Sequence, residues 1–286
     1  MKKILKIADI KLNILTPFDL IGGEYINLFE ICNKNEDYKE QFKFNIEVNK
    51  LKYIEEKYMI FRNEVKKVYY KENKYYWYYK LPTSKEWEIC CEEENKIINV
   101  TINPLYTKYY ENIDYLISRL NIQSMLLLSR ILILHSSFII HNNQSILFTA
   151  PSGVGKSTQA SLWEKYKGAE IINGDRSAIG TRDGEYFAYG LPFCGSSNIC
   201  KNKEAPLKAI VALKQAKENS VKKLSKMEAF KILLGQVAIN RWNKKDMELA
   251  MNLIEKLIEK VPVVILSCRP DEEATDVLND YLNNEI

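Results

Sequence analysis

Alternation of apolar and polar residues marks the first hundred positions as a set of short strands. Ile10, Leu12 and Ile14 recur at every second residue, and Phe42, Phe44, Ile46 and Val48 do so over a longer run, the two-residue period of a half-buried strand. Further strands are predicted over Tyr58 to Phe61, the aromatic run Tyr75 to Tyr79, Trp87 to Cys91 and Ile97 to Ile102. Turn-like clusters such as Cys32-Asn33-Lys34-Asn35-Glu36-Asp37 separate them. The pattern predicts a small, mainly antiparallel β domain over residues 1–110. Its aromatic run is a candidate for docking a peptide substrate, although ordinary cross-strand aromatic packing accounts for it more simply.

From Glu111 the period changes. Ile113, Leu116, Ile117, Leu120, Met125, Leu128 and Ile131 recur at helical spacing, predicting one amphipathic linking helix to about Leu134. A hairpin follows, Ser137 to Ile140 and Ser145 to Thr149 around a turn at Asn142-Asn143. Beyond it, strands over Glu170 to Ile172, Tyr186 to Tyr189, Ala205 to Leu213 and Pro262 to Ser267 are interspersed with helices. These run over Thr158 to Lys167, Lys226 to Ile239, Lys244 to Lys260 and Asp271 to Asn283. Such alternation predicts an α/β domain with a mixed sheet over residues 111–286. Pro270 followed by Asp271, Glu272 and Glu273 is helix-start chemistry, with acids at the positive end of the dipole.

Composition narrows the function classes. A hydrophobic content of 46% with 27% charged residues is that of a globular protein, and 286 residues allow two modest domains. A net charge of +4 with no basic stripe argues against nucleic acid as a partner. Lys6, Asp9 and Lys11 interrupt any export signal at the start, and the apolar run Met125 to Leu134, broken by Ser129 and Arg130, is too short to span a bilayer. No membrane partner is expected, and the cytoplasm is the expected location. Six cysteines without Cys-x-x-Cys spacing, with only His135 and His141, indicate neither a disulfide framework nor a zinc site. Homo-oligomerisation is left open.

The strongest chemical signal is Ala150-Pro151-Ser152-Gly153-Val154-Gly155-Lys156-Ser157-Thr158. Cradling the phosphates of ATP requires inward-facing amides unobstructed by Cβ atoms, supplied here by the segment Ser152 to Thr158 with Gly153 and Gly155. It also requires a cation for the β- and γ-phosphates, Lys156, and a hydroxyl for Mg²⁺, Ser157. The start of the following helix completes the anion site. Ala150 stands where the pattern usually has Gly. A predicted strand before the loop and a predicted helix after it give the motif its required context.

A kinase site also needs an acid. Asp175, in Glu170-Ile171-Ile172-Asn173-Gly174-Asp175-Arg176, follows a short apolar strand, which would deliver its carboxylate to the same sheet edge if it lay beside the phosphate strand. An ordinary Gly-Asp turn is the bland alternative. Arg176 is read as a neutraliser of phosphate charge or as a surface ion pair. His135, before the hairpin, is by pattern alone more often a core residue than a site residue, and His141 is assigned to turn surface. Gly190 to Asn198, dense in Gly and small polar residues, is a loop suited to approaching a ligand. Its Cys194 has no evident base partner and is taken as incidental.

These residues resemble the HPr kinase/phosphorylase family and its relatives, which share a phosphate-loop fold with the ATP-dependent phosphoenolpyruvate carboxykinases. The resemblance is carried by Leu134-His135-Ser136-Ser137, the hairpin, Ala150 to Thr158, and Ile172-Asn173-Gly174-Asp175-Arg176. Tyr189 to Ser197, Ala205 to Val211 and Glu218-Asn219 look like a branch found beside peptide-maturation systems. Over roughly the last 155 residues, the resemblance implies a kinase of a Ser or Thr hydroxyl on a peptide or protein, using ATP and Mg²⁺. It implies Asp175, His135, Lys156 and Arg176 as catalytic residues and Ser157 with Asp175 as metal ligands. One departure stands out: the family commonly has two adjacent aspartates before the arginine, and here the first is Gly174. Either Asp175 serves both roles, or His135 is the base, or the chain catalyses poorly. The basic HPr-binding segment is not recognisable. The alternatives are a nucleotide-gated peptide-binding adaptor and a kinase of free serine; a motor-type ATPase lacks its signature motifs.

Overall fold

The computed structural model describes residues 1–31 and 38–285; the turn cluster predicted at residues 32–37 lies outside them. The chain forms two compact units, residues 1–125 and 126–286.

In the first unit, eight strands form one sheet: β1 (Lys2–Ile7), β2 (Ile10–Leu15), β3 (Glu40–Val48), β4 (Met59–Arg62), β5 (Lys66–Lys71), β6 (Lys74–Tyr79), β7 (Ile89–Glu94) and β8 (Ile97–Ile102), in the order β1-β2-β3-β8-β7-β6-β5-β4. The pairings β2–β3 and β3–β8 are parallel and the others antiparallel, so the unit is mainly antiparallel. Sequence alternation missed β1 and β5, where lysines dilute it. Lys66 is nonetheless buried, with its ammonium 4.9 Å from the centre of the Tyr79 ring. The aromatic run lies in β6, hydrogen-bonded on both edges by β5 and β7. It therefore has no free edge for a peptide strand, and its rings pack across strands, as in the edge-on Tyr69–Tyr78 pair at 5.6 Å.

A buried carboxylate ties this sheet to the helical turns after it. Glu88 is 1% exposed and accepts hydrogen bonds from the Leu81 amide (3.0 Å) and the hydroxyls of Ser84 (2.5 Å), Tyr115 (2.7 Å) and Tyr110 (3.2 Å). Burial pushes its pKa up, but these donors together outweigh burial and hold it below the ordinary 4.5. The folded state then binds fewer protons than the unfolded one near that pH. Its stabilisation is complete above about pH 4.5 and is lost as pH falls through the depressed folded value. Glu88→Ala is expected to cost about 1–3 kcal/mol at neutral pH, because the Tyr110 hydroxyl is left buried and unpaired. In urea melts, the gap between variant and wild type should narrow below pH 4.5.

The single linking helix predicted over 111–134 does not form. Instead there are α1 (Thr107–Tyr110), α2 (Ile113–Ile117) and α3 (Ile122–Leu128), and residues 132–134 are already strand. Asn112 caps α2 by accepting from the Tyr115 amide. Left-handed backbone at Asn121 (φ +54°) and Arg130 (φ +62°) stops the helical path on both sides of α3. Ile131 to Leu134 are all buried, so the two-residue alternation that betrays a strand is absent there.

The second unit contains β9 (Leu132–His141), β10 (Gln144–Thr149), α4 (Lys156–Lys167), β11 (Glu170–Asn173), β12 (Arg176–Arg182), β13 (Glu185–Tyr189), β14 (Glu204–Gln215), β15 (Ser220–Lys223), α5 (Lys226–Gln236), α6 (Lys244–Lys260), β16 (Val263–Cys268) and α7 (Glu272–Asn284). It is mixed α/β. The sheet runs β10-β9-β12-β13-β14-β16-β15, and a further parallel pairing of β10 with β14 closes part of it on itself. The β9–β10 turn has positive φ at both Asn142 (+49°) and Asn143 (+60°), the twist a two-residue hairpin favours. Successive residues of β10 and β14 face opposite ways. Leu147 and Ile210 join Leu233, Ile254 and Leu257 of α5 and α6 in one core, whereas Phe148 and Val211 join Trp163 and Leu278 of α4 and α7 in the other. Among the described residues, no helix is long and apolar enough to cross a membrane.

Two expectations need correcting. β11 pairs with β9, not with β10, so the Asp175 turn lies on the opposite edge of β9 from the strand that feeds the loop. His141 is not bare turn surface: its ring stacks edge-on against Trp163 at 5.4 Å, and burial lowers its pKa.

Candidate functional site

The core fixes the start of the loop. Thr149 ends β10, and its hydroxyl donates to the His135 carbonyl (2.9 Å). Ala150 is buried in the same apolar cluster as Phe148 and Ala160, so the methyl that departs from the usual glycine has a place to pack. Gly153 (φ +81°) and Gly155 (φ +123°) adopt backbone conformations that L side chains rarely reach, and a Cβ on either would project into open space. Gly155 is also the residue from which α4 starts. The free amides at the start of α4 carry its positive pole.

Lys156 is 7% exposed. Its ammonium donates to the carbonyls of Ala150 (3.0 Å) and Pro151 (3.4 Å). Burial lowers its pKa, and the Asp175 charge partly offsets this. Among the described residues, no carboxylate lies within ion-pair distance of it. A buried cation held by carbonyls alone is short of an anion.

Asn173, the last residue of β11 and fully buried, organises the acid. Its side-chain Oδ1 accepts from the amides of Asp175 and Arg176 (both 2.9 Å), and its Nδ2 donates to the carbonyls of Leu191 (2.9 Å) and Phe193 (3.1 Å). The Ser137 hydroxyl donates to the Gly174 carbonyl (3.1 Å), and the Ser136 amide donates to the Asp175 carbonyl (3.0 Å). The Asp175 carboxylate lies 3.6 Å from His135 Nε2 and accepts from Arg176 Nε (3.1 Å). Arg176 is thus engaged with Asp175. The other His135 nitrogen, Nδ1, is 3.3 Å from Gln236 Oε1. Burial first, then the Lys156 charge, lower the His135 pKa against the opposing pull of Asp175.

The absence of a side chain at Gly174 has a steric counterpart. A Cβ on Gly174 would lie 2.3 Å from the Ser197 hydroxyl oxygen and 2.4 Å from its Cβ. The space an acid at 174 would need is filled by the Gly190 to Asn198 loop.

These parts face one cavity of about 280 Å³. Ser152, Gly153, Gly155, Lys156, Ser157 and Thr158 form one wall, and His135, Gly174, Asp175, Ser196 and Ser197 form the rest. A second cavity of about 360 Å³ shares Gly153, Gly155 and Thr158, and adds Val154, Gln159, Cys268 and Arg269. Gln159 is 2% exposed, and among the described residues its Oε1 has no hydrogen-bond partner. Every sequence-predicted site residue except Arg176 lines one of the two cavities. Asn173 and Ser197 stand in the quoted motif and in the predicted ligand loop without a role of their own, and Gln159 has none in the sequence either. Asn173 carries a signal as a polar residue ending an apolar strand, and Ser197 carries one only through the Gly-rich loop that contains it.

Asn173→Ala would strand two amides and two carbonyls. It is expected to cost about 1–3 kcal/mol, read from urea melts, and to loosen the 190–198 loop, read as faster amide exchange there.

No protein-family model matches the chain, and no curated protein matches it either. Among solved structures, the Hpr(Ser) kinase/phosphatase from Coxiella burnetii is similar over 54% of this chain and 89% of that one, at 10% identity and a TM-score of 0.31. A likeness that loose carries no argument. The functional reading rests on the side chains themselves.

Proposed function

We propose that the chain is an ATP-dependent phosphotransferase that moves the γ-phosphoryl group onto a serine or threonine hydroxyl of a peptide or protein. One observation carries this reading: the Lys156 ammonium, the start of α4 and the Asp175 carboxylate line the same cavity. A triphosphate suits the open space over Gly153 and Gly155 and would supply the anion that Lys156 lacks. A hydroxyl at Ser157 and a carboxylate at Asp175 are hard oxygen donors of the kind Mg²⁺ takes when substrate phosphates complete its shell. Bound there, Mg²⁺ would neutralise charge on the phosphates. The neighbouring cavity, about 360 Å³, is roomy enough for a nucleoside.

Within this site, Lys156 and the loop amides hold the terminal phosphates in line with the acceptor. Asp175 takes the acceptor hydroxyl's proton, and Arg176 and His135 hold its carboxylate from either side. Positioning and fixed charge supply most of the acceleration, as phosphoryl transfer requires. The segments resembling the peptide-maturation branch point to a precursor peptide as acceptor.

Incubation with γ-labelled ATP, Mg²⁺ and Ser/Thr peptides tests the reading. Labelled peptide is the expected result. ATP-dependent peptide binding without label would instead make the chain an adaptor, an outcome that a site with Gly174 for its second acid leaves open. Label on free serine would make it a small-molecule kinase.

A further inference from the structure

We propose that Ser196 is an intramolecular phosphoryl acceptor, so that the chain phosphorylates its own 190–198 loop. This rests on the kinase reading above.

The loop is held against the acid from both ends. Asn173 binds the carbonyls of Leu191 and Phe193, and the Lys201 amide donates back to the Ile172 carbonyl (2.9 Å). Between these anchors the chain passes directly over Asp175. A Cβ on Gly195, itself at φ +53°, would lie 2.7 Å from the Asp175 carboxyl carbon. Only a residue without a side chain fits that crossing. The next residue, Ser196, lies in the wall of the phosphate cavity with Lys156, Ser157 and Asp175.

The two loop hydroxyls differ. That of Ser197 donates to the Cys194 carbonyl (2.6 Å) and accepts from the Ile199 amide (3.3 Å), which fixes it as a structural group. Ser196 is exposed, and among the described residues its hydroxyl is tied into no such network. An unengaged primary alcohol is therefore tethered one residue from the glycine that touches the site's acid. Tethering of this kind replaces a bimolecular encounter by an effectively unimolecular one.

In the transfer, the Ser196 oxygen forms a bond to the γ-phosphorus as the bond from that phosphorus to the β–γ bridging oxygen breaks. The released electron pair stays on ADP, and the hydroxyl proton passes to the Asp175 carboxylate. The new phosphate carries about −1.5 to −2 charges into the cavity that holds Lys156. It would compete there with the terminal phosphates of the next nucleotide, so modification is self-limiting at one phosphoryl group per chain.

The full chain is incubated with ATP and Mg²⁺ in the absence of peptide and followed by intact and tandem mass spectrometry. The expected result is a gain of one phosphoryl group at Ser196, at a rate independent of protein concentration. S196A, shown by thermal melting to be folded, should gain none, and S196T should regain the modification on threonine. A mass-tagged K156A chain mixed with wild type should stay unmodified. Calorimetry with ADP and Mg²⁺ on the same preparation separates the two levels of failure. Nucleotide binding without mass gain, gain at another residue, or gain on the tagged K156A chain overturns the Ser196 assignment and leaves the kinase reading standing. Absence of nucleotide binding overturns both.

Discussion

Lys156→Ala is expected to lower phosphoryl transfer by about 10²–10³-fold, the scale on which loss of one preorganised charge-stabilising donor acts in a water-poor site. The ammonium is buried, donates to the Ala150 and Pro151 carbonyls and lines the cavity, so its removal takes positive charge from where phosphate charge accumulates. The fold should tolerate the change. Burial already works against the charged form of this lysine, and both carbonyls lie beyond the end of β10. Initial rates with labelled ATP, set beside melting curves within about 4 °C of wild type, check both halves. Retention of most of the activity would remove Lys156 from the site.

Asp175→Asn is expected to reduce kcat by about 10²–10⁴-fold, the range associated with loss of a positioned proton acceptor. The carboxamide is nearly isosteric and can still accept from Arg176 Nε, as the carboxylate does at 3.1 Å. The turn, held through Asn173 and the backbone contacts of Ser136 and Ser137, should therefore stay in place. What disappears is the basic oxygen and the negative charge opposite Lys156 and His135. Steady-state rates against acceptor concentration separate a loss in kcat from one in KM. A variant that turns over at the wild-type rate would mean the proton goes elsewhere, with His135 the next candidate.

The loop was legible because its chemistry forces its residue types. Positive φ at Gly153 and Gly155 and a cation directly after them leave few other sequences. His135 could be connected to the loop only through a family resemblance. The structure supplies the physical link: Ser136 pairs with Thr149 across the hairpin, so the residue before Ser136 meets the start of the loop. Asn173 and Ser197 act through contacts 18 to 23 residues away in sequence, and no local pattern announces such contacts. The same limit produced the false helix over 111–134. The apolar spacing there is helical, but Asn121 and Arg130 turn left-handed, and full burial of residues 131–134 hides the strand period. The placement of β11 beside β9 is likewise a matter of pairing, which periodicity does not encode.

The central claim is that the cavity over the 150–158 loop binds the phosphates of a nucleotide, and thermal melting against ATP or ADP in the presence of Mg²⁺ tests it most directly. The account predicts a saturable, one-to-one stabilisation, about 2.7 kcal/mol at a ligand concentration one hundred times Kd, that Lys156→Ala largely abolishes. A midpoint that neither nucleotide moves at millimolar concentration would contradict it.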